Sequence, residues 1–110
     1  YALLSFWSTW GVDYMKDVQN EQTLLTPYLS KVQLINFSLD TDSAQVARQI
    51  DMNHIPGINI CDKLSWTSPI VRTFGIVYLP SNILVNPQGV IVGRDMKPNE
   101  LTDFFKKTFR

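Results

Sequence analysis

The sequence predicts an α/β sandwich, with a central mixed sheet and helices on both of its faces. Three observations lead there. Short apolar runs alternate with segments of helical period, the first run is apolar at nearly every position, and a tight-turn sequence joins the last two runs.

Residues 2–7, Ala-Leu-Leu-Ser-Phe-Trp, are apolar on both faces, as expected of a strand covered by helices from both sides. Met15, Val18, Leu25 and Leu29 then recur on one helical face, which Pro27 should kink or end. Residues 32–39 form a second strand pattern. Asp42-Ser43-Ala44-Gln45 has the form of a capping box, with Asp as N-cap and Gln at N3, ahead of Val46, Ala47 and Ile50 on one face. A short extended piece follows at 58–61. Ser68-Pro69 begins a short helix with a cap and a proline at N1, and Gly75 is placed to end it. Trp66 is expected to pack this segment onto the sheet. Residues 82–85 and 90–92 flank Asn86-Pro87-Gln88-Gly89, the signature of an antiparallel hairpin. Leu101, Phe104, Phe105 and Phe109 stripe a last helix, with Lys106, Lys107 and Arg110 at the end where its dipole favours cations. Strands separated by helices imply right-handed parallel crossovers, and the closing hairpin makes the sheet mixed. The five glycines are scattered, so no Gly-rich phosphate loop follows any strand.

At 110 residues the chain has room for one domain and one core, and 45% apolar residues suit a packed globule rather than a disordered chain. Ten basic and ten acidic residues cancel, so no long-range field favours nucleic acid or an anionic membrane. Residues 1–62 carry seven acids and three bases, and residues 63–110 the reverse, which reads as two halves of one domain complementing each other. No run approaches the roughly 20 apolar residues of a membrane span. Opening directly on a strand pattern, the chain reads as a single domain, 1–110, trimmed at its N-terminus from a larger protein. Its one cysteine, Cys61, has no internal partner for a disulfide.

Phe6-Trp7-Ser8-Thr9-Trp10 resembles the start of the Phe-Trp-x-x-Trp-Cys-x-x-Cys motif of bacterial thioredoxin-like thiol–disulfide oxidoreductases of the TlpA/ResA type, relatives of the AhpC/TSA group. Residues 37–42 are similar to the end of that family's second core strand, and residues 60–76 to an insert of its Bacteroidetes branch. Leu79-Pro80-Ser81 running to Gly89 resembles its cis-proline segment and hairpin. The resemblance covers essentially the whole chain, less the extra N-terminal strands of that group, and implies a thioredoxin-like three-layer sandwich.

It departs at the chemistry. Where the family has Cys-x-x-Cys, this chain has Gly11-Val12-Asp13-Tyr14. Dithiol exchange needs a thiolate to attack a disulfide and a second thiol to release it. Gly11 provides no nucleophile and Tyr14 no resolving group. The expectation is therefore a redox-inactive binding or scaffolding domain with no catalytic residues, no cofactor and no metal site. An alternative stays open, an oxidoreductase acting through Cys61 or through partner thiols, and so does a domain that only stabilises its neighbour. Asp17, where the family carries an acid thought to assist proton transfer, reads as a first-turn acid favoured by the helix dipole. Cys61 reads as a small packed residue and His54 as a loop residue, with Asp51 near it in sequence but no nucleophile placed to use the pair.

The resemblance further implies a cis peptide at Leu79–Pro80, with Pro27, Pro56, Pro69, Pro87 and Pro98 trans. It also implies a binding site in which Leu79 offers its backbone N–H and C=O to an extended peptide. Trp10, Tyr14, Leu79 and Pro80 are expected to form one contiguous patch there, with Trp10 partly exposed. The implied setting is a bacterial periplasm or cell envelope, for a monomeric domain that takes a peptide or protein partner.

Overall fold

Because strand β1, Ala2–Trp7, is apolar on both faces, it can only sit in the middle of the sheet, and it does. The computed structural model describes residues 1–11 and 14–109, without the side chain of Met15. Expectations that fall on Val12, Asp13, Met15 packing and Arg110 lie outside the described residues. Helix α1 (Tyr14–Leu25) leads to β2 (Gln33–Ser38), then α2 (Ser43–Asn53), β3 (Ile58–Ile60), α3 (Pro69–Thr73), the hairpin β4 (Ser81–Val85) and β5 (Ile91–Arg94), and α4 (Pro98–Thr108). The sheet order is β3-β2-β1-β4-β5. β1 and β2 run parallel in register Ala2 to Gln33, β2 and β3 are parallel, and β4 lies antiparallel to both β1 and β5.

Period-two alternation sorts the β1 side chains onto two faces. Leu3 packs with Leu25 of α1 and with Leu101 and Phe105 of α4, and Trp7 packs with Val18 of α1 and Val46 of α2. Phe6, on the other face, packs with Phe37, Ile83 and Val71 of α3. Helices α1, α2 and α4 therefore cover one face and α3 the other. Two successive right-handed crossovers stepping the same way along the sheet put α1 and α2 on a common side.

Local signals act as expected at several ends. The Asp42 carboxylate accepts from the N–H groups of Ala44 and Gln45, the Ser68 hydroxyl accepts from Ile70 N–H, and Gly75 takes φ +66° just past α3. Gly89 closes the hairpin turn at φ +81°, donating to the Asn86 carbonyl at 2.9 Å.

Three expectations need correction. The Gln45 side chain does not reach back to close a capping box; its Oε1 accepts from Arg48 Nη2 at 2.7 Å. Leu29 is not on the buried face of α1. That helix ends at Leu25, and a 3-10 turn beginning at Thr26 rotates Leu29 outward, while Tyr28 meets the Phe105 ring instead. Trp66 does not anchor the α3 segment. It sits in a separate 3-10 turn, 42% exposed, and Val71, Phe74 and Ile76 do the packing.

Candidate functional site

The loop from β1 into α1 is held from below by one buried carboxylate. Asp40, just past the end of β2, accepts from Thr9 N–H at 2.9 Å, from the Thr9 hydroxyl, and from the Ser38 hydroxyl at 2.5 Å. These bonds tie the residues before Trp10 to the neighbouring strand. Trp10 stands out from that anchored base, 54% exposed. Beyond it, the N–H of Tyr14 donates to the Gly11 carbonyl at 3.3 Å, closing the turn that opens α1. The Tyr14 ring lies back over Gly11, and a Cβ built on Gly11 would overlap the ring carbons. The two positions where the family motif has thiols thus fit each other: residue 14 fills the space in which residue 11 would carry a side chain.

At the same end of β1, just before β4, the Leu79–Pro80 peptide bond is cis, and no other cis bond occurs among the described residues. Pro80 is exposed, whereas Leu79 is half-buried and packs against the core cluster that holds Phe6, Phe37 and Ile83. Among the described residues, no backbone hydrogen bond engages the N–H or C=O of Leu79.

Beside Pro80 opens a cavity of about 400 Å³ between α1, the start of β4 and the β5–α4 corner. Val18, Met96 and Pro98 give it apolar surface; Asp17, Glu21, Asn82, Asp95 and Lys97 give it polar groups. Trp10, Tyr14 and Leu79 do not line it, so of the four expected binding residues only Pro80 belongs to this cavity. Glu21 is only 9% exposed. The Ser5 hydroxyl donates to its Oε1 at 2.7 Å and Asn82 Nδ2 to its Oε2 at 3.4 Å. Burial pushes its carboxyl above the ordinary carboxylate range, the Asp17 charge adds to this, and the Ser5 and Asn82 bonds only partly offset it.

Asp95 behaves oppositely. Some burial pushes its carboxyl up, but donation from the Ser81 and Tyr78 hydroxyls and Asn82 N–H, with Arg94 nearby, outweighs that and leaves it lowered. Asp95 takes φ +53°, a left-handed position that Asp tolerates better than most residues. Asn82 stitches this corner together, accepting from Met96 N–H at 3.0 Å and donating to the Met96 carbonyl at 2.8 Å. The sequence held one signal for this cavity: Glu21 follows Asp17 by four residues, which puts both acids on one face of α1. Nothing local announced Asn82 or Asp95, whose roles arise only when the hairpin meets α1.

The remaining candidates lie elsewhere. Cys61 is half-buried just past β3; its thiol donates to the Asp40 carbonyl at 3.2 Å and packs at the edge of the Trp7–Val46 cluster. His54 ends α2 at φ +53°, exposed, and its link to Asp51 is a backbone bond of 3.4 Å. Among the described residues no three His, Cys, Asp or Glu side chains gather closely enough to hold one metal ion. No described helix is long and apolar enough to cross a membrane.

No protein-family model matches the sequence, and no curated protein does. Solved structures do. A thiol-disulfide oxidoreductase from Bacteroides fragilis is 27% identical over 98% of this chain and 80% of its own, with a TM-score of 0.89. A thioredoxin-like protein from Parabacteroides distasonis (18% identity, 96% and 79% covered, TM-score 0.85) and StoA from Bacillus subtilis (20%, 94% and 80%, 0.75) share the fold. The chain has a thioredoxin-like fold, thiol–disulfide oxidoreductases of Bacteroidetes are among its structural neighbours, and its single cysteine lies just past β3 and not at position 11 or 14.

Proposed function

We propose that this domain performs no dithiol exchange and instead binds an extended peptide segment of a partner in a bacterial cell envelope. The observation that carries the reading is the Gly11–Tyr14 pair. Glycine supplies no nucleophile, and the Tyr14 ring fills the space of any side chain at position 11. Peptide capture needs neither thiol. A strand laid beside Leu79 bonds to main-chain groups, which loss of the cysteines leaves unchanged, and Trp10 offers a large amphipathic surface at the same end of β1.

The competing oxidoreductase reading would have to run through Cys61. That thiol is engaged with the Asp40 carbonyl and packed against the core, and it has no second thiol to resolve a mixed disulfide. An array of random decapeptides probed with the 110-residue protein tests the binding reading. Retention of a defined subset, lost on Trp10→Ala, is the expected result. An array on which native protein and variant behave alike would refute it.

A further inference from the structure

Resting on that peptide-binding reading, we infer that the cavity beside Pro80 is a specificity pocket for a basic side chain, lysine or arginine, of the bound segment. The cavity adjoins the cis-proline, so a peptide paired with Leu79 can place one side chain in it. At about 400 Å³ it falls within the range of about 300–1,000 Å³ typical of ligand pockets.

Its lining divides by chemistry. Val18, Met96 and Pro98 suit the methylene stem of a long side chain, and the ionisable carboxyls Asp17, Glu21 and Asp95 stand against one ammonium, Lys97. An apolar stem with a cationic head matches both parts at once. Glu21 keeps unused acceptor capacity, since a carboxylate offers about four lone-pair sites and, among the described residues, only Ser5 and Asn82 donate to it. The charge contrast is local, because the whole chain is neutral. The carboxyls are also too dispersed to close on one metal ion, which favours an extended organic cation over a divalent one.

Arg94, whose charge acts on Asp95, is occupied elsewhere. Its Nη2 donates to the carbonyls of Phe74 and Gly75.

The decapeptide array gives the test, followed by titration of one retained peptide and its matched Arg→Gln or Lys→Gln version. The expected result is enrichment of Arg or Lys at one position of the retained peptides, with about a tenfold loss of affinity when that residue becomes Gln, equivalent to about 1.4 kcal/mol. Asp17→Asn with Asp95→Asn should abolish the difference between the two peptides. Lys97→Gln, which removes the like charge, should enlarge it. A control pair on exposed acids elsewhere, Asp51→Asn with Asp103→Asn, should change nothing. Peptides retained with no basic preference, or a preference indifferent to both Asp17/Asp95 and Lys97, would overturn the pocket assignment while leaving peptide binding intact. Failure to retain any peptide would overturn both.

Discussion

Replacing Gly11 by alanine puts a methyl group where the Tyr14 ring already lies, so one of the two must move. The backbone at Gly11 is not left-handed, and the three atoms nearest the added methyl all belong to the ring. Overpacking of this kind costs about 1–3 kcal/mol, and the low end is expected because Tyr14 is only half-buried and can swing outward. In a Tyr14→Ala background the same substitution should cost nearly nothing, and a double-mutant cycle read by urea unfolding measures the coupling. Equal costs in both backgrounds would mean that the ring does not occupy that space.

Glu21 offers a second test at this scale. Its folded-state carboxyl lies above the ordinary value of 4.5, so as pH rises past that value the unfolded chain ionises first and stability falls until the folded group has also ionised. Glu21→Gln removes that loss. Its amide can accept from Asn82 and donate to Ser5 once that hydroxyl turns. The variant should melt above the native protein at pH 8, with the advantage fading toward pH 4. A variant less stable at pH 8 would contradict the assignment. Residue identities alone made the loss of thiols legible, since it needs only positions 11 and 14. The fit between those positions was not legible, because a side chain's direction is settled by packing.

Between the strands and α1, the loop before Trp10 is fixed by Asp40. Removing a buried acceptor leaves its donors unsatisfied, at about 1–3 kcal/mol per group. Asp40→Ala should therefore cost at least about 2 kcal/mol in urea unfolding and speed amide exchange at Thr9, with Asp40→Asn milder. A change below about 0.5 kcal/mol would show that the loop is held by something else. Elements governed by period or by one strong breaker were readable. The apolar run of β1, the Asn86–Gly89 turn and the Ser68 cap each carry a local signal that tertiary context does not override. Leu29 and Trp66 misled for a common reason. Each is a large apolar residue whose direction depends on a short 3-10 turn, and a rotation of a few tens of degrees per residue moves a side chain from core to solvent.

The whole molecule combines a fold of oxidoreductase type with positions 11 and 14 that carry no sulfur. Its order of elements follows from alternation along the chain. The cavity beside Pro80, by contrast, joins residues as far apart as Ser5 and Pro98, and no local pattern could have gathered them. If chemistry was lost only at the turn that opens α1, the rest of the scaffold still supports it. The most direct measurement is insulin reduction by dithiothreitol, comparing native protein, Cys61→Ser, and the double variant Gly11→Cys with Tyr14→Cys, which removes the ring and supplies both thiols together. Native protein and Cys61→Ser should both match the uncatalysed rate, while the double variant should form a disulfide and turn over; native turnover that disappears with Cys61→Ser would contradict a redox-inactive domain.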